Sequence, residues 1–343
     1  MSTTNAVGSG APLWRDSAPE MFEATILVAA GKLQIQPLAV IKDYWACEAL
    51  RAIEGTHPGQ VIFKGGTSLE KLRIIDRFSE DLDLLVVKSF SSLNQAKNAM
   101  RAMCAAAMNA TSGELVAVES GGVKDKGHKS MYLTFPAKKK NGEEQEKGEG
   151  LADPGRILLE FGQSGGAHPS EYRTVSSLVS RSLAEGNFDV AAYPDLTPFQ
   201  VQILHPGRTL IEKLLRVNNF SLMEDASRNH HGWPRIGRQF YDIWKLLGDQ
   251  EVITFLADKA QASSVLEDCF KVSQDFTPDQ VPPLGGFAES HIFDSAGDLF
   301  DKLSEEHNTA MRTLYFGKPM ELPLAVVFEH VRANKELLNF HIV

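Results

Sequence analysis

Two aspartates stand one residue apart in the run Asp81-Leu82-Asp83-Leu84-Leu85-Val86-Val87. On a β-strand, residues i and i+2 project from the same face. The two carboxylates then lie side by side, with Leu82 turned into a core. Neighbouring carboxylates repel and call for cations, and hard divalent ions such as Mg²⁺ (or Mn²⁺) take oxygen ligands of this kind. Two such ions about 4 Å apart can clamp the attacking and leaving oxygens of a phosphoryl transfer. Asp-x-Asp alone is a weak signal, common on exposed strand ends, so its meaning depends on its surroundings.

Gly65-Gly66-Thr67-Ser68 leads into a helical stretch, Ser68 to Ile75. Glycines let the backbone approach a ligand, and a helix start offers free N–H groups to an anion. Thr67 and Ser68 either cap that helix or bind a phosphate. Arg77-Phe78-Ser79-Glu80 directly precedes the aspartates, which brings Arg77 and Ser79 to a metal site or leaves them as a plain turn. Glu160 lies in Ile157-Leu158-Leu159-Glu160-Phe161, too apolar a run to hold a charge without reason. It is either a third carboxylate beside Asp81 and Asp83 or a solvent-facing residue on an edge strand. Lys213 borders the apolar face of Leu210 to Val217, where it reaches a triphosphate as a point charge or snorkels to solvent. Arg235, Arg238 and Asp242 recur at i, i+3 and i+7. They form a surface ion-pair ladder, or they face a cleft where the arginines grip phosphate and Asp242 orients an arginine or Lys213.

The elements that must position these residues follow from periodicity. Helices are expected over residues 21–55, broken near Gly31 and Pro37, and over 91–108. Strands are expected at Val61–Phe63, Asp81–Val87, Leu115–Glu119, Met131–Phe135 and Arg156–Phe161, with one more within Tyr172 to Leu183. From about residue 206 the pattern becomes helical, at Leu210–Val217, Ile236–Leu247, 251–270, 296–315 and Leu324–Leu338. The expected organisation is a disordered leader over 1–20, an α+β core over 21–205 and a helical unit over 206–343. The core's mixed sheet begins at about residue 56.

Composition narrows the function classes. The chain has 343 residues, 43% hydrophobic and 23% charged, which suits a globular protein of ordinary core size. No run approaches the ~20 apolar residues of a membrane span, and Met1 to Pro12 does not read as a secretory signal. Cys47, Cys104 and Cys269 are too sparse for a disulfide framework or a zinc spacing, so the expected compartment is cytoplasmic. His230-His231 reads as solvated rather than metal-binding. A net charge of −9 argues against a broad nucleic-acid grip, and no DNA partner is expected. Two local basic patches remain, Lys124 to Lys129 and Lys138-Lys139-Lys140, and both also suit solvated hairpin tips. The segment 138–150 is charged, low in complexity and has nothing to bury.

Taken in order, these motifs resemble a known family. Gly65-Gly66-Thr67 followed by Arg77-x-Ser79-x-Asp81-Leu82-Asp83-Leu84 is similar to motif I of the AbiEii/AbiGii-type (MenT-like) nucleotidyltransferase toxins. These are the toxin halves of abortive-infection and toxin–antitoxin systems. Lys42-Asp43-Tyr44-Trp45 resembles that family's N-terminal helix signature, Lys213 its helix lysine, and Arg238-x-Phe240-Tyr241-Asp242-Ile243 its final motif. The similarity runs over roughly 22–250 and has no counterpart for the charged stretch near 138–150. It implies a polymerase-β-like nucleotidyltransferase core, a mixed sheet flanked by helices, with a helical C-terminal domain. It also implies Mg²⁺ on Asp81 and Asp83, NTP phosphates at Lys213, and Asp242 as a further acid. The implied activity moves NMP from an NTP to RNA, with the tRNA 3′ end as acceptor, and so blocks translation. A GTP-binding toxin without RNA transfer, or nucleotidylation of a protein, stays open. A cognate antitoxin is the implied protein partner, with no membrane involved.

Overall fold

The computed structural model describes residues 11–79, 81–118, 128–136, 153, 155–163, 165–274, 278–317 and 321–341. The charged stretch 138–150 and most of the Lys124 to Lys129 patch lie outside them. The chain opens with helices α1 (Trp14–Ser17), α2 (Pro19–Leu33) and α3 (Pro37–Thr56). Strand β1 (Val61–Lys64) runs straight into α4 (Gly65–Lys71), and β2 (Asp81–Val86), α5 (Leu93–Thr111), β3 (Leu115–Ala117) and β4 (His128–Thr134) follow. Then come β5 (Arg156–Gly162), β6 (Ser170–Val175), α6 (Leu178–Glu185) and β7 (Phe199–Leu204). The remainder is helical: α7 (Pro206–Ser221), α8 (Asp225–His231), α9 (Trp233–Leu247), α10 (Gln250–Ala257), α11 (Lys259–Ser273), α12 (Phe300–Leu314), α13 (Leu324–Ala333) and α14 (Lys335–Leu338).

The seven strands form one mixed sheet in the order β3-β4-β5-β2-β1-β7-β6. β2 pairs antiparallel with β1 and parallel with β5. Alternation sorts its side chains. Leu82, Leu84 and Val86 join Phe63, Leu159 and Phe161 in a core against α3 and α5. Burying each such side chain contributes roughly 1.5–3 kcal/mol. Asp81 and Asp83 therefore fall on the opposite face, because the leucines between them are held in the core.

A second apolar core unites α7, α9, α10, α11, α12 and α13 around Leu214, Phe240, Leu256 and Phe328. Leu69 of α4 and Ile75 also enter it, which anchors the loop before β2 to the helical unit. α12 fits closely against α9 at Gly237, where a Cβ would stand 2.5 Å from the Glu306 carbonyl oxygen.

Several elements differ from the periodicity reading. β7 was not anticipated, although Gln200 and Gln202 alternate with the buried Val201 and Ile203. The stretch 172–183 divides into the end of β6 and the start of α6, which Ser177 caps through the Ser180 N–H. The helix expected over 251–270 is two helices, broken at Asp258, whose carboxylate caps the second. The helix expected from Ser68 begins at Gly65. The disordered leader cannot extend to residue 20, because Trp14 is buried and its backbone N–H donates to Asp195 Oδ1 at 2.8 Å. The Tyr44 hydroxyl donates to the same carboxylate at 2.6 Å. Among the described residues no single helix is long and apolar enough to cross a membrane.

Candidate active site

The cleft between sheet and helical unit has a volume of about 160 Å³. Its floor is set by strand register. Asp83 of β2 stands opposite Glu160 of β5 on one side and Lys64 of β1 on the other. Residues in register share a face, so Glu160, Asp83 and Lys64 form one row and Asp81 begins the next. The carboxylates of Glu160 and Asp83 are cross-strand neighbours on adjacent strands. Burial, then the charges of Asp83 and Asp81, push the Glu160 carboxyl up to about 7. Glu160 is thus the third acid of the floor, not a solvent-facing edge residue.

The glycine turn closes against this floor. Gly65 has φ +81°, and a Cβ there would sit 2.0 Å from Asp83 Oδ2. A Cβ on Gly66 would meet Ser79 Oγ at 2.8 Å and Arg77 Nη2 at 2.9 Å. Both positions need glycine for this close approach. Thr67 and Ser68 do not face the cleft, contrary to the sequence expectation for phosphate contacts. They are 4% and 0% exposed, and their hydroxyls donate to the carbonyl oxygens of Asp81 at 2.5 Å and Gly65 at 2.8 Å. Since α4 begins at Gly65, neither residue caps it.

α7 and α9 supply the opposite wall. Asp242 is 0% exposed and accepts two hydrogen bonds from Arg77, Nε to Oδ1 and Nη2 to Oδ2, each 2.7 Å. The Lys213 ammonium donates to Asp242 Oδ2 at 2.7 Å and to Gln239 Oε1 at 2.8 Å. Burial opposes the charge on Asp242, but Arg77 and Lys213 outweigh it and hold the carboxyl well below its usual range. Asp242 therefore orients Arg77 and Lys213 and does not itself reach the cleft. The helix-surface ladder with Arg235 and Arg238 is absent. Arg238 instead lies 4.0 Å from Asp81. Arg77 is held by an isolated β-bridge to Tyr315, with the Phe78 N–H donating to the Leu314 carbonyl at 2.7 Å.

Sequence reasoning did not single out Lys64, Glu212, Arg216, Thr209 or Gln239, all of which line the cleft. Lys64 pairs with Glu212 at 3.3 Å, and Arg208 braces Glu212 at 3.2 Å. Glu212 and Arg216 share one helix face with Lys213, a helical-wheel signal that was available. Arg216 forms no ion pair among the described residues. Its tip reaches solvent, yet the crowded wall and then Arg238 hold its guanidinium below the ordinary arginine range. Arg238 is lowered too, by burial first and Arg77 next. The wall thus carries more positive charge than the protein neutralises at contact distance.

Among the described residues no three His, Cys, Asp or Glu side chains stand arranged as a ready metal shell. The donor chemistry nonetheless suits a hard divalent cation: three carboxylates on adjacent strands, with Asp83 and Glu160 directly opposite each other and repelling when both are ionised.

The family model for the AbiEii nucleotidyl transferase toxin of type IV toxin–antitoxin systems matches residues 48–324. No curated protein matches the chain. Among solved structures, a protein from H. pylori with a provisional nucleotidyltransferase assignment is 15% identical. The match covers 89% of this chain and 96% of that one, with a TM-score of 0.45. JHP933 from Helicobacter pylori is 14% identical over 87% of this chain and 93% of that one, with a TM-score of 0.38.

Proposed function

Because the chain belongs to the AbiEii nucleotidyltransferase toxin family of type IV toxin–antitoxin systems, we propose that it transfers NMP from an NTP to the 3′ end of tRNA and so blocks translation. The family makes the protein a nucleotidyltransferase toxin with an NTP substrate and a cognate antitoxin. The RNA acceptor and the metal go beyond what the family gives. The observation that carries it is the row of carboxylates on β2 and β5 facing arginines that lack full counter-charge.

An NTP fits this asymmetry. Arg238, Arg216 and Lys213 bind the triphosphate, with Asp242 fixing the Lys213 ammonium and the Arg77 guanidinium. Gly65 and Gly66 let the backbone lie against Asp83 and Ser79, which leaves room for the phosphates in front of them. Mg²⁺ (or Mn²⁺) held by Asp81, Asp83 and Glu160 would neutralise phosphate charge and favour ionisation of the acceptor hydroxyl. The acceptor oxygen bonds to the α-phosphorus, the bond to the bridging oxygen breaks, and pyrophosphate leaves against the arginines. The hydroxyl proton is lost to water or to a floor carboxylate. Charge stabilisation and positioning supply the rate.

The test is incubation of the purified protein with each labelled NTP and total RNA. Label is expected in tRNA-sized RNA with the wild type and not with Asp81→Ala. Equal labelling by both proteins would refute the assignment. Label in a protein band would replace the acceptor, and GTP binding without transfer would remove the transfer itself.

A further inference from the structure

We infer that the sheet surface beside the carboxylates, on β5, β4 and β3, seats the acceptor as a single-stranded RNA end. Its terminal bases stack on Tyr132 and Arg156, and a phosphate near the reacting hydroxyl meets Arg235. This rests on the transfer reading above and specifies where the second substrate lies.

Register places this surface. One row across the sheet is Val116, Tyr132, Leu158 and Asp81, and the next is Ser130, Glu160, Asp83 and Lys64. Neighbouring strands are about 4.8 Å apart, so Tyr132 lies two strands, about 10 Å, from Asp81. Towards β1 and β7 the same face is filled. Ile62, Leu85 and Leu204 pack together there, and Glu212 of α7 reaches Lys64. Towards β5, β4 and β3 it stays accessible. Leu158, Tyr132 and Ser130 are half-buried, His128 is exposed and Val116 is 38% exposed. The cleft is therefore closed at one end and continues onto an open platform at the Glu160 end.

The platform's chemistry selects the occupant. The Arg156 guanidinium, held by Asp153 through its Nε at 2.7 Å, lies 4.1 Å from the centre of the Tyr132 ring, and its side chain is 39% exposed. Aromatic rings and guanidinium planes are the surfaces on which unpaired bases stack. Arg235, at the start of α9, is exposed and forms no ion pair among the described residues. It lies one helical turn before Arg238, which stands 4.0 Å from Asp81, so it projects on the side of α9 that meets the floor acids. An unneutralised arginine on that wall, with a stacking surface on the same face of the sheet, suits a phosphate-bearing strand end. The row from Tyr132 to Asp81 leads such a strand into the acids. In a chain of net charge −9, a local seat of this kind is what an RNA end needs, whereas a long duplex would meet repulsion elsewhere.

The test combines anisotropy of a fluorescent single-stranded RNA at fixed salt with separate KM values for RNA and NTP. Tyr132→Ala should weaken RNA binding about tenfold and raise the RNA KM to match, with the NTP KM within about twofold of wild type. Tyr132→Phe should retain binding, which excludes simple misfolding at that position. Arg235→Ala should weaken RNA binding and lower the salt slope by about one. Wild-type RNA affinity and KM in both alanine variants, with label still entering RNA, would overturn the platform and leave the transfer reading intact. Tyr132-dependent RNA binding with no labelling of any RNA would uphold the platform and remove the transfer reading. Label in protein without RNA binding would overturn both.

Discussion

The seven-residue helix α4 divides two clusters of charge that are built from the same residue types but differ in how their charges are matched. On one side its last residues, Glu70 and Lys71, join Asp43 of α3 and Arg181 of α6. Lys71 pairs with Asp43 and, at 2.8 Å, with Glu70, and Arg181 reaches Glu70 at 2.9 Å. Asp43 also accepts the Leu178 N–H at the start of α6, at 2.6 Å. Two acids and two bases are buried together. Burial raises the Asp43 carboxyl, whereas at Glu70 the charges of Lys71 and Arg181 outweigh burial and hold the carboxyl below the usual range. On the other side, Gly65 and Gly66 face Asp81, Asp83 and Glu160, where like charge from Asp83 and Asp81 adds to burial in raising Glu160. The closed cluster is finished by its own residues. The open one sets three acids on its floor against Lys64, which is itself shared with Glu212, and carries surplus positive charge on its wall, a division that a metal–triphosphate complex would balance.

The sharpest contrast is between removing an acid from the open side and a base from the closed side. Asp83→Asn should reduce NMP transfer by about 10³-fold or more and leave the metal-free protein as stable or slightly more so, since a repulsive charge has gone. Lys71→Ala strands Asp43 and Glu70 in the core and should destabilise by about 3–5 kcal/mol, while the folded fraction keeps its specific activity. Urea unfolding and label incorporation on the same preparations decide both. If Asp83→Asn unfolds the protein, or Lys71→Ala inactivates it without loss of stability, the two clusters are not different in kind.

Gly65→Ala tests the boundary itself. The new methyl would stand 2.0 Å from Asp83 Oδ2 on a backbone with φ +81°. The left-handed conformation alone costs about 1–2 kcal/mol. Gly59 supplies the control, because its φ is +67° and its Cβ would meet only the Tyr172 hydroxyl, at 3.2 Å. Both alanine variants should lose similar stability by thermal unfolding. Only Gly65→Ala should lose transfer, by roughly tenfold or more. Equal activity of the two would mean that the turn does not hold the Asp83 carboxylate.

Much of the open cluster was legible because it is local. Asp81 and Asp83 share a face through strand alternation alone, and the Gly65-Gly66 turn lies in the same short stretch. Glu160 could be suspected because a charge in an apolar strand demands a partner, although only the sheet order shows that the partner is Asp83. Lys64 stayed hidden for the same reason: its position opposite Asp83 is a fact of pairing, not of spacing. Thr67 and Ser68 misled because hydroxyls beside glycines look free in a sequence. Here backbone carbonyls within one turn, and across to β2, consume them. The fate of Asp242 depended on Arg77, 165 positions earlier, which the bridge to Tyr315 carries against α9. The closed cluster was invisible because Lys42-Asp43-Tyr44-Trp45 shows neither Lys71 nor Arg181.

The smallest expected effect separates the clusters by their response to protons. Burial and the charges of Asp83 and Asp81 push the Glu160 carboxyl up to about 7 in the folded protein, above the ordinary carboxylate value of 4.5. Between those values the folded chain retains a proton that the unfolded chain releases. The folded state binds more protons there, so this group's contribution to stability falls as pH rises through the window. Asp242 is held below its ordinary value and is ionised in both states across the same range, so it adds no slope. With chelator present, Glu160 should remove about 1–2 kcal/mol between pH 5 and pH 8, and Glu160→Gln should flatten that decline. Added Mg²⁺ should stabilise the wild type more at pH 8 than at pH 6, because ionised Glu160 is then available to the cation. Unfolding curves at each pH, with and without the ion, measure all three. An unchanged slope in Glu160→Gln would show that the strain on the open floor lies elsewhere than in the Glu160–Asp83 pair.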